Sequence, residues 1–114
     1  MTDNVYLVFS QWPDDISEEE YFRWYVKHAQ ENIESPDFVS AQRYRVREVV
    51  AGEPTGPEQH LSLYHYAGPM SRWRSDLTRR IEQREVVLPE WFGRIQFRSW
   101  DCHPVGDLLT PKSR

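Results

Sequence analysis

The sequence has little cysteine, no surplus of positive charge and no long hydrophobic run, and each shortage excludes a class of protein. Its single cysteine, Cys102, excludes an intramolecular disulfide and fits a reducing compartment, so we expect a cytoplasmic protein. The formal net charge is −4 and basic residues do not cluster, so we expect no nucleic-acid partner. No run approaches the ~20 apolar residues of a membrane span, so we expect no membrane partner either.

Familiar short motifs are missing as well. The sequence has no glycine-rich nucleotide loop, no P-loop, no G-x-S-x-G elbow and no H-E-x-x-H pair. Its histidines are scattered, and within "DCH" at 101–103 adjacent strand residues point to opposite faces, which argues against a metal site. We therefore expect no metal and no cofactor. Haem or flavin binding is the alternative, and the colour of the purified protein would test it.

Aromatic side chains are what the sequence has instead. Phe, Trp and Tyr make up 14% of the 114 residues, while the mean hydropathy is low. Large rings must therefore fill much of the interior, or line a ligand cavity or subunit interface, where an apolar body with a polar tip is favoured. The length fits a single domain over residues 1–114, with a partly loose tail at 104–114.

The apolar pattern predicts six elements in the order β-α-β-β-α-β. The predicted strands are residues 5–12, 38–50, 60–68 and 96–103, and the predicted helices run from a Ser17–Glu20 capping box to Pro36 and over 69–86. Residues 51–59, with two Gly and two Pro, are predicted to be a loop within a hairpin. This order predicts a ferredoxin-like α+β fold: a four-stranded antiparallel sheet with both helices on one face. A second copy of the chain would cover the other face most simply, which predicts a homodimer.

The first helix carries the strongest candidate for chemistry. Its predicted apolar stripe consists of Phe22, Val26, Ala29 and Ile33. His28 lies on the flank of that stripe, together with Tyr21, Trp24, Tyr25 and Asn32. An imidazole at such a boundary can titrate near neutrality and act as a general acid or base. The alternative is that His28 packs on a neighbouring ring and bonds to a loop or a second subunit.

The third strand supplies a second candidate group. Alternation places Tyr64 and Tyr66 on one face of the strand and His65 on the other, more apolar face. If the apolar face looks toward the helices, His65 enters the same cavity as His28, and the two tyrosines face a partner subunit. The alternative is a buried His65 whose ring is satisfied by a backbone carbonyl. The alternation alone does not choose between the two orientations.

The run "HAQENIESPDFVSAQRY", from His28 to Tyr44, resembles the helix-one to strand-two signature of the EthD-like members of the dimeric α+β barrel superfamily. Those proteins have an aromatic-rich helix ending in a His, a Pro-Gly-Phe-type turn and an A-x-R-Y strand. The matching positions are His28, Pro36, Phe38, Ala41, Arg43 and Tyr44. Gln30 and Asp37 stand where the family commonly has Pro and Gly. The resemblance implies a dimer whose sheets form a barrel, with a small-molecule cavity between sheet and helices in each subunit.

The resemblance also sets the expected function. The superfamily includes cofactor-independent cyclases, isomerases, lyases and oxygenases, besides haem-binding branches. We expect a lyase, isomerase or cyclase acting on a small aromatic or polyketide-like molecule, with His28 as general acid/base and Tyr64 or His65 holding the oxyanion. The expected substrate-binding residues are Tyr21, Trp24, Tyr25, Tyr44 and Tyr66. The alternatives are a non-catalytic ligand-binding or accessory dimer, and a haem-binding or monooxygenase branch of the same fold.

Overall fold

The computed structural model describes residues 4–113, which form a four-stranded sheet with two helices on one of its faces. The strands are β1 (Asn4–Gln11), β2 (Phe38–Val50), β3 (Glu53–Tyr66) and β4 (Gln96–Cys102), and the helices are α1 (Glu18–Ile33) and α2 (Met70–Glu82). A 3₁₀ turn, Glu90–Arg94, precedes β4. Neighbouring strands are antiparallel in the order β2-β3-β1-β4, so the predicted ferredoxin-like α+β fold is confirmed.

The start of α1 follows the predicted capping box. The Ser17 hydroxyl accepts a hydrogen bond from the Glu20 backbone N–H at 3.1 Å, which satisfies one of the free donors of the first turn. Three glutamates in that turn, residues 18–20, lie at the positive end of the helix dipole. The sequence at this end therefore sets where the helix begins.

The face of α1 that packs on the sheet differs from the predicted apolar stripe. Phe22 and Val26 are 48% and 45% exposed, so placing them in the core was wrong. The buried residues of α1 are Tyr21, Tyr25, His28, Ala29 and Asn32. The reason is that a phenol ring buries more apolar area than a valine while its hydroxyl keeps a hydrogen-bond partner. The side of α1 that carries Tyr21 and Tyr25 therefore packs on the sheet.

Residues 51–59, predicted as a loop, belong to a long hairpin arm. Only Ala51 and Gly52 form the turn, and both have a positive φ (51° and 82°), as a two-residue type I′ turn requires. In this arm β3 pairs with β2 alone, because β1 pairs only with the residues of β3 from 60 onward. One edge of the arm therefore needs no backbone N–H, which suits Pro54, and Pro57 lies within the irregularity opposite Val46–Glu48, where the ladder is interrupted.

The sheet face turned away from the helices carries apolar side chains. Leu7 pairs with Leu63 on one side and with Trp100 on the other, and Phe9 pairs with Leu61. We call these five residues the open sheet face. Among the described residues the helices pack on the opposite face, and Trp100 is 56% exposed. Leu7, Phe9, Leu61 and Leu63 are half-buried, so the described chain shields this surface from water only in part.

The chain after β4 has no helix or strand as far as Ser113, and Arg114 lies outside the described residues. Val105, Leu108 and Leu109 in this tail are 98%, 85% and 89% exposed. The tail therefore adds no packing to the core. Across residues 4–113, no helix combines the length and apolarity that a membrane crossing needs.

Candidate functional site between α1 and β2

His28 is buried in a stack of rings on α1. Its imidazole is 6% exposed and lies parallel to the Trp24 indole at a centroid distance of 4.9 Å, with Tyr25 and Phe92 meeting it edge-on. Nδ1 has no hydrogen-bond partner among the described residues, and the nearest carboxylate oxygen, on Glu31, is 3.6 Å away. That distance is too long for a hydrogen bond. The ring packing of the predicted alternative is thus present, on Trp24, whereas Nδ1 makes no hydrogen bond to a loop among the described residues.

The surroundings of His28 favour the neutral imidazole. Burial lowers its pKa to about 4, and the positive charges of Arg80 and Arg43 add to the effect. Burial disfavours a charged ring because water no longer solvates it, and nearby cations repel the added proton. At pH 7 His28 is therefore neutral.

On β3, the tyrosines face the helices and His65 faces away. The Tyr64 hydroxyl accepts a hydrogen bond from the Asn32 side chain of α1 at 3.1 Å, whereas His65 pairs with Val5 on the open side. Of the two orientations left open by the sequence, the structure therefore has the one in which His65 points away from His28. The physical reason is that the large tyrosine rings, with hydroxyls that find buried partners, fill the interior better than the aliphatic side chains of the other face.

Three phenols form the centre of the interior. Tyr21, Tyr25 and Tyr64 are 0%, 2% and 1% exposed. The Tyr21 hydroxyl donates to the Ser10 hydroxyl at 2.5 Å. Burial raises the pKa of Tyr21 to about 12 and those of Tyr25 and Tyr64 above the usual value. These hydroxyls therefore keep their protons at neutral pH.

Tyr66 lies apart from this group. Its hydroxyl donates to a carboxylate oxygen of Asp101, next to His103, whose ring contacts the same carboxylate. Burial and the Asp101 charge raise the Tyr66 pKa to about 12. Tyr66 thus belongs to the β4 end of the sheet. No group of three or more His, Cys, Asp and Glu side chains suited to a metal ion occurs within residues 4–113.

Arg43 of β2 reaches into the interior, and no carboxylate of residues 4–113 pairs with it. Its guanidinium lies 3.8 Å above the centre of the Tyr25 ring, and it donates to the Ser62 hydroxyl at 2.6 Å. A third contact joins its Nη2 to Nδ1 of His60 at 2.8 Å. Its Nε is buried and has no partner among residues 4–113. All of these contacts are to neutral groups, and burial lowers the pKa of the guanidinium.

His60 of β3 connects Arg43 to a glutamate of α1. Its Nε2 lies 3.0 Å from a carboxylate oxygen of Glu18, which Arg45 also binds through two hydrogen bonds of 2.9 and 3.0 Å. Since Arg43 can only donate to Nδ1, the neutral ring carries its proton on Nε2 and donates it to Glu18. Burial lowers the pKa of His60 although Glu18 acts in the opposite direction, and the Arg45 hydrogen bond lowers the pKa of Glu18.

A surface cleft between α1 and β2 ends at this histidine. We call it the α1–β2 cleft, and its volume is about 180 Å³. Its lining residues are Phe22, Arg43, Tyr44, Arg45 and His60. A neighbouring cavity of about 290 Å³ shares Phe22, Arg45 and His60 and adds Glu18 and Glu19. The inner end of the cleft, at Arg43 and His60, is therefore cationic, and the neighbouring cavity adds two carboxylates, of which Glu18 contacts His60.

The structure thus brings together only some of the predicted site residues. Tyr44, 47% exposed, borders the cleft but pairs with Leu61, so its ring lies on the open sheet face. Tyr21 packs against His60 with ring centroids 5.5 Å apart. Trp24 and Tyr25 lie in the core around His28. The sequence did not single out His60 as a site residue. The signal was its position opposite Arg45 in the hairpin, which becomes visible only once the register is known.

No family model, no curated protein and no solved structure matches the chain. The functional argument therefore depends on the geometry of the site itself.

Proposed function

We propose that the protein is a cofactor-independent enzyme that moves a proton on a small aromatic or polyketide-like molecule held in the α1–β2 cleft. The observation that carries this proposal is the position of His60, between the Glu18 carboxylate and the Arg43 guanidinium, where the cleft ends. A histidine held by a carboxylate is the commonest arrangement for acid–base work near pH 7. The ring of Phe22 supplies an apolar wall for an aromatic ligand.

The proton transfer follows from these contacts. A C–H bond next to a carbonyl breaks, its electron pair moves to the carbonyl oxygen, and Nδ1 of His60 takes the proton. The resulting imidazolium is stabilised by the Glu18 carboxylate at Nε2, while the positive charges of Arg43 and Arg45 favour the oxyanion. Return of the proton to another carbon completes an isomerisation, and loss of a leaving group completes an elimination. The EthD-like resemblance implies the same classes of reaction.

The proposal assigns the acid–base role to His60 instead of His28. His28 is 6% exposed, is stacked between rings and does not line the cleft. A catalytic base has to come within hydrogen-bond reach of the proton that it removes. His28 is then a packing residue of the core, with its ring stacked on Trp24.

Solvent exchange tests the proposal before the full reaction is known. We expect the wild-type protein to speed the exchange of the acidic C–H protons of aryl β-keto compounds for deuterium, followed by NMR. His60→Gln should lower this rate by about 10²-fold or more, which is the usual contribution of a general base. His28→Gln is the matched control and should stay within a few-fold of wild type. An unchanged rate in His60→Gln would remove His60 from the mechanism.

A non-catalytic binding protein is the second candidate. The observation that favours it is that both ring nitrogens of His60 already have hydrogen-bond partners, so no lone pair of the ring is free in this structure. This candidate predicts that ligands raise the melting temperature of the protein without undergoing exchange. It also predicts that His60→Gln leaves this stabilisation in place.

We also propose that the protein acts as a homodimer through the open sheet face. Leu7, Leu63 and Trp100 lie side by side on that face, and within residues 4–113 the chain leaves them partly exposed. Contiguous apolar surface of this kind marks an interface, and two copies related by a twofold axis cover both faces at once. The EthD-like resemblance implies the same arrangement. A monomeric mass by light scattering at micromolar concentration would contradict it.

A further inference from the structure

We infer that the ligand of the α1–β2 cleft is an aromatic monocarboxylate whose carboxylate pairs with Arg43 at the inner end, while its ring packs against Phe22. The inference rests on the proposed function only in placing a ligand in this cleft. It adds the chemical class of that ligand and the direction in which it binds.

The charge of Arg43 is the first step. Among the arginines of the cleft, Arg45 is neutralised by Glu18 and lies 3.5 Å from a second carboxylate, Glu58. Arg43 instead contacts a hydroxyl, an imidazole and the face of a phenol, all of them neutral. A partly buried cation costs free energy unless an anion accompanies it, and a ring face offsets only part of that cost. The inner end of the cleft therefore favours an anion.

The shape of the donor group selects a carboxylate. A guanidinium presents its N–H groups as a planar fork that matches the two oxygens of a carboxylate. Arg43 uses one contact from each Nη atom, and its Nε is without a partner among the described residues. Each Nη carries two N–H groups and uses one, so donor capacity is left over on a side chain that lines the cleft. A single neutral carbonyl would leave the charge uncompensated.

The outer end of the cleft decides the rest of the ligand. Glu18 and Glu19 line the neighbouring cavity, so a second anionic group there would be repelled. Phe22 lines both cavities and is 48% exposed, and its ring offers a flat apolar surface to an aromatic body. The ligand therefore carries one negative charge, inside, and an uncharged aromatic portion outside.

Binding in this way changes the state of His60. A carboxylate that pairs with Arg43 draws Nη2 away from Nδ1 of His60, and the lone pair of that nitrogen becomes free. The charged groups facing His60 are Glu18 on α1 and Arg43 and Arg45 on β2, with the neutral Tyr21 hydroxyl nearby. Once the Arg43 charge is paired, the remaining close partner of the ring is Glu18. The pKa of His60 therefore rises on binding.

Three probes test the ligand class on the wild-type protein by calorimetry and NMR. Benzoate carries the ring and the charge, benzamide the ring alone, and acetate the charge alone. We expect benzoate to bind at least tenfold more tightly than either of the other two. We also expect it to raise the pKa of His60, read from the ring resonances, whereas benzamide leaves that pKa unchanged. Equal affinity for benzoate and benzamide, or no binding of benzoate, would overturn the inference.

Variants locate the anion. Arg43→Gln should weaken benzoate binding at least tenfold, and Arg43→Lys, which keeps the charge and loses the fork, should fall between it and wild type. Arg74→Gln removes the same charge from an exposed position on α2 and should change the affinity by less than twofold. Arg43→Gln with wild-type affinity would contradict the inference. His60→Gln separates the two proposals, because it should abolish proton exchange while benzoate still binds.

Discussion

At the scale of single residues, the burial of His28 makes stability depend on pH. The unfolded chain binds a proton on this ring below about pH 6.5, whereas the folded protein does so only below about pH 4. Between these values the unfolded state holds more protons, so stability is lost as the pH falls. The expected slope is about 1.4 kcal/mol per pH unit.

Urea unfolding of wild type and His28→Gln between pH 4.5 and 6.5 measures this slope. We expect the difference in unfolding free energy between the two proteins to vary with pH by roughly that amount, because contributions from other groups cancel in the difference. A pH-independent difference would show that the imidazole is protonated alike in both states. NMR titration of the His28 ring offers an independent check, with an expected midpoint near 4.

The Tyr21–Ser10 hydrogen bond gives a second prediction at this scale. Tyr21 and Ser10 are 0% and 1% exposed and are joined at 2.5 Å, so removing one partner leaves the other buried and unpaired. Tyr21→Phe should cost about 1–3 kcal/mol of stability. The double variant Tyr21→Phe/Ser10→Ala should cost less than the sum of the single changes, measured by denaturant unfolding. Strictly additive losses would mean that the contact contributes nothing of its own.

His60 shows why part of the site could not be predicted from the sequence. Near the turn, Val50 pairs with Glu53, and Glu48 pairs with Thr55. If this register continued unbroken, Glu58 would lie opposite Arg45. An irregularity between Val46 and Glu48 shifts the pairing, so that His60 stands there instead. Such a bulge has no reliable mark in a single sequence. The residue types could be read from the sequence, but the pairing that places His60 opposite Arg45 could not.

At the scale of elements, the order and ends of the helices and strands followed from local signals, and the orientation of their faces did not. Ser17 and Glu20 set the start of α1 through a local capping contact that any reading of the sequence can find. Which side of α1 is buried depends on tyrosines whose hydroxyls find partners on other elements, such as Ser10. A hydropathy scale gives every tyrosine the same value, whether or not its hydroxyl has such a partner.

Matched leucine substitutions on α1 test the observed orientation of the helix. Val26 is 45% exposed and Ala29 is 5% exposed, although the apolar pattern placed both in the core. Val26→Leu should change stability by about 0.5 kcal/mol or less, as surface changes usually do. Ala29→Leu should destabilise by about 1–3 kcal/mol, because added methylenes have no space in a packed interior. Thermal or urea unfolding of both variants decides, and equal effects would contradict the observed face.

At the scale of the whole molecule, the open sheet face connects the fold to assembly. The residues of β3 alternate between the two faces, and the sequence gives each face apolar groups: tyrosines on one and leucines on the other. The helices cover the tyrosine face, which leaves Leu61 and Leu63 on the side away from them. A sheet with apolar groups on both faces is typical of a layer that is covered twice. The sequence predicted the need for a cover, but the side that needs it had to come from the structure.

A lysine on the open sheet face tests the proposed dimer. In a folded monomer Leu63 is partly exposed, so the long side chain of Leu63→Lys can place its ammonium in water at little cost. In a twofold dimer the same change buries one ammonium from each copy in an apolar interface. None of the five residues that define the open sheet face is a carboxylate that could pair with it. We expect wild type at twice the monomer mass by light scattering and Leu63→Lys at the monomer mass with an unchanged circular dichroism spectrum. Val87→Lys, at a position that is 72% exposed and outside the sheet, is the control and should remain dimeric. Dimeric Leu63→Lys would place the interface elsewhere, since two charges cannot be buried on this face without weakening it.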